Sequence, residues 1–371
     1  MSRMRLAVIG VGHLGKIHAK LAASLEDTEL VAVADASPEA REAVAAEYGC
    51  RAVADFRELI GEIDAAVVAT PTVTHRDVAS DLMRAGVHVL VEKPICPTAA
   101  EADELVQLAQ KQQLVLQVGH VERFNPAFTA VCGRLHDPKY IEAERASGYT
   151  GRSIDVGVVM DLMIHDIDAV LSLVQSPVEK VEALGVSVFG GGEDIVNARL
   201  KFATGCIATL TASRVSYAVK RTMSVFTPTR FASIDFGNRK STVVEPTDQV
   251  LSREVQARDM SPQALGRLRD ELFQEYLVRK EVPGEEANAI LEEQKDFLRA
   301  IRTNETPIVS GADGCDAVAV AEQVIECVEA HQWDGSHSGR IGPHATPVPA
   351  VIEAAENWST VDTVILRRKA G

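Results

Sequence analysis

The pattern of apolar and polar positions divides the chain into two parts that predict different sheets. From about residue 4 to residue 119, short and wholly apolar runs alternate with segments of helical periodicity. This alternation is typical of a parallel sheet whose strands are joined by helical crossovers. We therefore expect a doubly wound α/β domain over residues 1–124. The predicted strands are 5–9, 30–34, 65–69, 88–91 and 114–118, and the predicted helices begin near Leu14, Pro38, Asp55, Thr74 and Thr98.

The pattern changes after Asn125 and Pro126. Short strands of alternating polarity follow one another with few helices between them, which predicts an α/β domain with an open, mostly antiparallel sheet over residues 125–335. The glycine-containing segments 189–192 and 203–205 predict hairpin turns. Residues 336–371 form an extension of unknown role with a short predicted helix at 351–357. The predicted strands are 141–147, 181–189, 195–202, 206–213, 221–226 and 231–235, and the predicted helices are 262–278, 285–302 and 315–330.

Composition narrows the range of functions. The 371 residues include 53 Asp and Glu against 38 Lys and Arg, and a formal charge of −15 disfavours nucleic acid or an acidic membrane as a partner. The six cysteines are scattered without zinc-site spacing, so we expect free thiols and no metal site. We find no signal peptide and no long apolar run, and we expect a cytoplasmic protein.

The first predicted strand leads into a glycine-rich loop with the spacing G-x-G-x-x-G. Such a loop permits a tight turn and a close approach of the backbone to a pyrophosphate, which a following helix N-terminus stabilises. The sequence therefore predicts a dinucleotide site. The loop residues expected to contact the cofactor are Gly10, Gly12, His13, Leu14 and Gly15.

Asp35 ends the second predicted strand, about 20 residues after the last glycine, where a carboxylate binds ribose hydroxyls. Its charge would repel the 2′-phosphate of NADP, so the sequence favours NAD. Arg41 or Arg57 could approach in three dimensions and weaken this preference. Alternatively, Asp35 serves only to cap the next helix.

Two further strand ends carry candidate residues at the same edge of the sheet. Thr70 and Pro71 follow one strand and lead to His75, although an ordinary strand-to-helix turn also explains this segment. Glu92 and Lys93 follow the next strand, and a lysine is costly to bury without a function. All five residues are predicted to lie at the cofactor.

Four polar residues recur at helical spacing in an otherwise apolar segment, namely Asp161, His165, Asp168 and Ser172. A polar stripe on a buried helix should face a cleft. We expect Asp161 to hold the His165 imidazole and favour its protonated form, which suits a general base. The alternative is a surface ion pair with little energetic weight.

These motifs together resemble the glucose-fructose oxidoreductase / inositol dehydrogenase (Gfo/Idh/MocA) family over residues 4–330. The resemblance rests on the glycine loop followed by His18, on Ala69-x-Pro71 with His75, on Glu92-Lys93-Pro94 and on Asp161-x-x-x-His165. It implies a Rossmann domain and a second α/β domain whose exposed sheet face forms a homo-oligomer. It also implies that Lys93 lies beside the nicotinamide and the reacting hydroxyl, with Asp161 and His165 on the substrate side. Many relatives have paired glycines before this helix, whereas only Gly157 is present here.

Residues 119–126 and 161–168 resemble the branch of this family that acts on nucleotide-linked amino sugars. That resemblance implies oxidation of UDP-N-acetylglucosamine at C3 to a keto sugar for later transamination, with His120, Arg123 and Asn125 among the substrate contacts. A free cyclic polyol or hexose is the alternative substrate, and a non-catalytic, dinucleotide-dependent regulator is a third possibility. The basic residues available for a diphosphate are Arg123, Arg145, Arg152, Arg214, Lys220 and Arg221.

Overall fold

The computed structural model describes residues 3–149, 151, 156–333 and 341–344. Arg152, the predicted helix at 351–357 and most of the extension at 336–371 lie outside the described residues. None of the described helices is long and apolar enough to cross a membrane.

The first sheet confirms the doubly wound prediction. Its six strands are all parallel and lie in the order β3-β2-β1-β4-β5-β6. Residues at the centres of the strands are buried, because helices cover both faces of the sheet. The strands are β1 (Met4–Ile9), β2 (Thr28–Ala34), β3 (Arg51–Val53), β4 (Ala65–Val68), β5 (His88–Glu92) and β6 (Leu116–Gly119), and the helices are α1 (His13–Ser24), α2 (Pro38–Tyr48), α3 (His75–Arg84) and α4 (Ala99–Gln112).

The second sheet has eight strands in the order β14-β13-β12-β11-β7-β10-β9-β8. Only the β7 and β10 pair is parallel, so the prediction of an open, mostly antiparallel sheet is confirmed. The predicted turns at 189–192 and 203–205 join antiparallel neighbours. The strands are β7 (Tyr140–Ala146), β8 (Val178–Val186), β9 (Ile195–Phe202), β10 (Ile207–Ser213), β11 (Lys220–Phe226), β12 (Phe231–Asp235), β13 (Lys240–Pro246) and β14 (Leu277–Pro283).

Helices of the second part lie between or after these strands. A short helix, α5 (Pro126–Thr129), follows the first sheet, and a π-helical turn at Val159–Met163 leads into α6 (Ile164–Val174). The remaining helices are α7 (Asp248–Leu251), α8 (Pro262–Asp270), α9 (Ala289–Thr303) and α10 (Gly311–Ala330).

The predicted helix at 262–278 is wrong at 277–278, and a π-helical turn at Leu272–Tyr276 replaces the α-helix after residue 270. The α8 helix ends there, and Leu277–Pro283 forms β14, which pairs with β13 along its whole length. Neither β13 nor the three-residue strand β3 was predicted. In each case the strand is specified by its partner in the sheet more than by its own apolar pattern.

The last two helices tie the two sheets together. Phe297 and Ala300 of α9 join the apolar cluster that contains Leu6 and Val8 of β1, so α9 packs on the first sheet although it follows the second in the chain. The α10 helix packs against α4 on one side and against α6 and β8 on the other. This arrangement holds the carboxyl ends of the first sheet opposite the π-helical turn and α6.

Candidate active site

The glycine-rich loop has the geometry of a phosphate-binding turn. Gly10 adopts a φ of +86°, and a Cβ there would lie 2.6 Å from the Ala69 carbonyl oxygen. By contrast, a Cβ at Gly12 would meet nothing within 4 Å, so the backbone is open to a ligand on this side. Gly12 is also the N-cap of α1 and provides no side-chain cap, which leaves the first N–H groups at His13, Leu14 and Gly15 available to an anion.

A cavity of about 640 Å³ begins at this loop and extends along the ends of β1, β2 and β4. It is lined by loop glycines and by Asp35, Phe56 and Pro71, with Thr70 alongside. The combination of an apolar wall, a carboxylate and an uncapped helix N-terminus fits a dinucleotide.

Asp35 holds the loop as well as facing the cavity. One carboxylate oxygen accepts from the Val11 backbone N–H at 2.8 Å and the other from the Ser37 N–H at 2.8 Å. The Arg41 guanidinium donates to the backbone carbonyls of Asp35 and Ala36. Arg57 lies further away and pairs with Asp81 at 2.7 Å. Of the two arginines considered above, only Arg41 therefore reaches the Asp35 segment.

His75 ties two strand ends together from a buried position. Its Nδ1 lies 3.0 Å from the Pro94 carbonyl oxygen and its Nε2 lies 2.8 Å from the Thr70 carbonyl oxygen. Burial lowers its pKa below the ordinary value. With both ring nitrogens engaged, His75 supports the shape of the site and does not present a free nitrogen to a ligand.

Lys93 and Asp161 meet at the junction of the two sheets. The ammonium Nζ donates to the Asp161 backbone carbonyl at 2.6 Å and lies 3.5 Å from its carboxylate Oδ1. Burial lowers the pKa of Lys93, while the charges of Asp161 and Glu92 oppose that shift. The structure therefore brings together two of the three predicted catalytic residues.

His165 lies beside this pair and next to His120. The two rings are edge to face with centroids 6.2 Å apart. Burial and the positive charge of Lys93 lower the pKa of His165 well below its usual value, and burial lowers the pKa of His120 to about 3. His165 Nδ1 and both nitrogens of His120 have no partner among the described residues. Both imidazoles are therefore neutral and can accept a proton.

The expectation that Asp161 holds the His165 ring and favours its protonated form is wrong. The carboxylate lies beside Lys93 instead, and the pKa of His165 is lowered rather than raised. The physical reason is the π-helical turn at Val159–Met163, which breaks the regular four-residue spacing on which the prediction depended.

Arg123 and Asp168 face a second cavity, of about 590 Å³, between α6 and α10. The Arg123 Nη1 lies 3.4 Å from Asp168 Oδ1, and Nη2 donates to the Ile308 carbonyl at 3.0 Å. Burial raises the pKa of Asp168 to about 7. Ser172 also lines this cavity, whereas Lys93 and His165 do not. The predicted polar stripe is therefore divided: Asp161 and His165 lie near Lys93, whereas Asp168 and Ser172 line the second cavity.

Asn125 is engaged in the fold rather than in the cleft. Its Oδ1 accepts from the Ala127 N–H as the cap of α5, and its Nδ2 donates to Glu122 and to the Phe236 carbonyl. The structure does not bring Asn125 together with Lys93 and His165.

Most of the predicted diphosphate ligands are already paired. Arg145 is buried between Asp166 and Glu122, with distances of 2.8 and 2.7 Å. Arg214 pairs with Asp194 at 2.6 Å, and Lys220 pairs with Glu144 at 3.0 Å. The two buried arginines are thus part of the fold, whereas the Lys220 pair is exposed to solvent and adds little to stability.

Arg221 differs from the others. Its guanidinium has no hydrogen bond or ion pair with the described part of the chain, and its charge acts on both His165 and Asp166. Because Arg221 is two residues before the buried Met223 and four before the buried Val225 on β11, its side chain lies on the same face of the sheet as theirs, the face that α6 covers.

Comparison with known proteins agrees with this geometry. The sequence profile described as an oxidoreductase family with an NAD-binding Rossmann fold matches residues 4–120, and the profile of the GFO/IDH/MocA C-terminal domain matches residues 127–229. The chain belongs to the GFO/IDH/MocA oxidoreductase family. It is therefore an oxidoreductase with an NAD-binding Rossmann domain, as the motifs predicted.

Two curated members of the GFO/IDH/MocA family align with nearly the whole described chain. UDP-N-acetylglucosamine 3-dehydrogenase from Acidithiobacillus ferrooxidans is 38% identical over 331 residues, which is 89% of this chain and 99% of that protein. Inositol 2-dehydrogenase from Rhizobium meliloti is 30% identical over 344 residues, which is 88% of this chain and 97% of that protein.

A solved structure of the Acidithiobacillus ferrooxidans enzyme superposes with a TM-score of 0.78 at 35% identity, and it covers 88% of this chain and 98% of that one. Levoglucosan dehydrogenase, solved with NADH and levoglucosan, has a TM-score of 0.73 at 18% identity over 88% of this chain and 97% of that one, which shows a common fold.

Sequence reasoning missed two buried polar residues close to the end of β5. Glu293 and Gln294 on α9 lie buried near Glu92 and His18. The signal was present, because both are polar at positions of an amphipathic helix where apolar residues would be expected, but their neighbours lie far away in the chain.

Proposed function

We propose that this protein is an NAD-dependent dehydrogenase that oxidises the C3 hydroxyl of UDP-N-acetylglucosamine to the 3-keto sugar. The observation that carries the proposal is the contact of Lys93 with Asp161 beside the neutral His165, at the end of β5 and next to the dinucleotide cavity. The identity of 38% to a protein with this activity supports the choice of substrate.

The residues of the cleft divide the chemistry between them. His165 accepts the proton of the sugar hydroxyl, because burial keeps its imidazole in the neutral form before the reaction. Burial and the Lys93 charge also weaken it as a base, so the proton is transferred as Lys93 neutralises the negative charge that develops in the cleft. The Lys93 ammonium stabilises the negative charge that develops on the reacting oxygen. Asp161 holds Lys93 in place and favours its protonated form. When bound, NAD supplies the hydride acceptor.

NAD rather than NADP is the proposed cofactor. The Asp35 carboxylate is fixed by two backbone N–H groups and would repel a 2′-phosphate. Arg41 is occupied by two carbonyls of the same turn, and Arg57 is held by Asp81. We expect a lower KM for NAD than for NADP, and we expect Asp35→Ser to reduce that preference in steady-state kinetics.

Arg221 is the proposed contact for the diphosphate of the substrate. It is exposed on the α6 side of β11 and lacks a partner in the described ranges, whereas Arg145, Arg214 and Lys220 are in ion pairs. Arginine suits this role because its planar group can bind two phosphate oxygens at once.

A coupled assay tests the proposed activity. The purified protein is mixed with NAD and UDP-N-acetylglucosamine, and a PLP-dependent aminotransferase with glutamate removes the keto sugar. We expect NADH to accumulate and a 3-amino sugar to form. If neither product is found while NAD binding is intact, UDP-N-acetylglucosamine is not the substrate.

A free cyclic polyol is the second candidate substrate. Two observations favour it. Two of the predicted diphosphate ligands, Arg145 and Arg214, are held in buried ion pairs, and an inositol 2-dehydrogenase is 30% identical over most of the chain. Competition by UDP separates the two candidates. The nucleotide-sugar proposal requires UDP alone to inhibit competitively, whereas a polyol dehydrogenase would be insensitive to UDP and would reduce NAD with inositol.

A further inference from the structure

A cluster of buried polar side chains adjoins Glu92, the residue that precedes Lys93. His18 from α1, Glu92 from β5 and Glu293 from α9 each place a nitrogen or carboxyl oxygen within 4.8 Å of the other two. Glu293 and His18 are completely buried. The mechanism proposed above does not use Glu293, so this buried acid needs a separate explanation.

The hydrogen bonds of His18 identify which groups in the cluster carry hydrogen. The Gln294 side-chain nitrogen donates to the His18 backbone carbonyl at 3.1 Å, which fixes the orientation of the amide. The same nitrogen lies 2.9 Å from His18 Nδ1, which must therefore accept. Nε2 then carries the ring proton and donates to Glu92 Oε1 at 2.7 Å. In this tautomer Nε2 cannot ligate a metal ion, so the cluster is a hydrogen-bond network.

Glu92 and Glu293 differ sharply in the donors that surround them. Glu92 accepts from His18 at one oxygen and from the Lys93 backbone N–H, at 3.2 Å, at the other. Neither oxygen of Glu293 has a partner within the described ranges. Two buried carboxyl groups at this separation do not both ionise, and the charge resides on the group that has donors. Burial and the charge of Glu92 accordingly raise the pKa of Glu293 well above its usual value.

We propose that Glu293 is a positioning residue, a neutral buried acid that leaves Glu92 as the one ionised carboxylate of the cluster formed by His18, Glu92 and Glu293. The inference rests on the proposed role of Lys93. The negative charge of Glu92 favours the protonated form of Lys93, against the effect of burial. An ionised Glu293 would repel Glu92 and displace the strand end that carries Lys93.

No cation from the surrounding elements neutralises Glu293 in the described structure. Asp296, one turn further along α9, is held by Arg299 at 2.7 Å and adds a like charge. The turn at Val121–Phe124, which packs on α9, presents groups that are paired elsewhere. The titratable groups that lie within 4.8 Å of Glu293 or act on its pKa are His18 of α1, Glu92 of β5 and Asp296 of α9.

Replacement of the acid by its neutral isostere tests the inference. In the full-length protein, Glu293→Gln should melt at the same temperature as the wild type at about pH 5. At about pH 9, its melting temperature should be several degrees higher than that of the wild type. The sign follows from the raised pKa, because the stability that the buried proton provides is lost as the pH rises through the folded-state pKa. Glu292→Gln is the matched control, because Glu292 is a half-exposed neighbour that pairs with Lys295. Its melting temperature should change with pH as that of the wild type does.

Activity supplies a readout that a purely structural role would not move. The alkaline limb of kcat should lie at higher pH in Glu293→Gln than in the wild type, because the variant has no proton to lose at this position. Glu92→Gln should shift the same limb to lower pH, because Lys93 loses a neighbouring negative charge. Parallel melting curves for wild type and Glu293→Gln would overturn the inference, as would an equimolar metal ion that native mass spectrometry finds in the wild type and not in the variant. The melting experiment needs no sugar, so it can succeed even if the proposed substrate is wrong.

Discussion

Lys93 and Asp161 are 68 positions apart in the chain, yet the lysine ammonium donates to the Asp161 carbonyl at 2.6 Å. The sequence placed Lys93 at a strand end and Asp161 on a buried helix, and each placement follows from a local pattern. The contact between them depends on the packing of α9 and α10 against both sheets, and no local sequence pattern predicts that packing.

Substitution of Lys93 tests its catalytic role. We expect Lys93→Ala to lower kcat by about 10²- to 10⁴-fold, because the charge that stabilises the reacting oxygen is removed, while NAD still binds. Steady-state kinetics and NAD titration measure the two effects. Lys111→Ala, an exposed lysine near the end of α4, is the control and should behave as wild type. Full activity in Lys93→Ala would exclude the proposed mechanism.

The pKa shifts predict the shape of the pH profile. Because the pKa of His165 is lowered, protonation should inactivate the base only well below its ordinary value of about 6.5. Because burial lowers the pKa of Lys93, the alkaline loss should begin below about 10.5. A plot of kcat/KM against pH measures both limbs. An acidic limb at or above the ordinary histidine pKa would contradict the assignment of His165.

Other residue roles could not be predicted because they depend on partners distant in sequence. Arg145 is a plausible phosphate ligand on sequence grounds, but Glu122 and Asp166 enclose it in the fold. Asp161 is four residues before His165, but the π-helical turn directs it to Lys93. In both cases the sequence correctly predicted that the charged side chain has a partner, but it did not predict which residue that partner is.

At the scale of the element, two glycines of the glycine-rich loop have different roles: Gly15 is needed for packing, and Gly12 leaves space for the cofactor. A Cβ at Gly15 would collide with the Gly10 carbonyl oxygen, whereas a Cβ at Gly12 would meet open space. We therefore expect Gly15→Ala to lower the melting temperature more than Gly12→Ala does. Gly12→Ala should instead weaken NAD binding, because the added methyl group occupies the path of the pyrophosphate. Thermal melts and NAD titrations of both variants check this pair, and the reverse ranking would exclude the loop as the cofactor site.

Secondary structure was predicted best where the local pattern of apolar residues is clearest. Strands buried on both faces, such as β4 and β5, are continuous apolar runs and were predicted almost to the residue. The β14 strand was not predicted, and its first two residues were assigned to a helix, because its residues are mixed in polarity and backbone pairing with β13 orders it. Edge strands carry little information of their own.

For the whole molecule, the open face of the second sheet suggests how copies associate. Along β9 every second residue is exposed, and Tyr140, Phe226 and Phe231 form an aromatic group on that face, with adjacent ring centroids 5.6 and 4.7 Å apart. We expect a homo-oligomer through this face, as the family resemblance implies. Light scattering after gel filtration should give a multiple of the 40.0 kDa chain mass.

A charge on that face should disrupt the assembly. Phe226→Glu is expected to shift the protein towards the monomer, because the glutamate would be desolvated in the interface. Ile60→Glu places the same charge on an exposed apolar residue of the first domain and is the control. A wild-type protein that is monomeric at every concentration would contradict the prediction.

In the proposed reaction, the hydrogen at C3 of UDP-N-acetylglucosamine passes to NAD in the cleft formed by Lys93 and His165. Substrate labelled with deuterium at C3 tests this directly, with mass spectrometry of the NADH that forms. We expect each NADH to carry one deuterium, and we expect Lys93→Ala to form almost no NADH. NADH without deuterium would show that another carbon is oxidised, and label retained in unreacted sugar without any NADH would contradict the proposed activity itself.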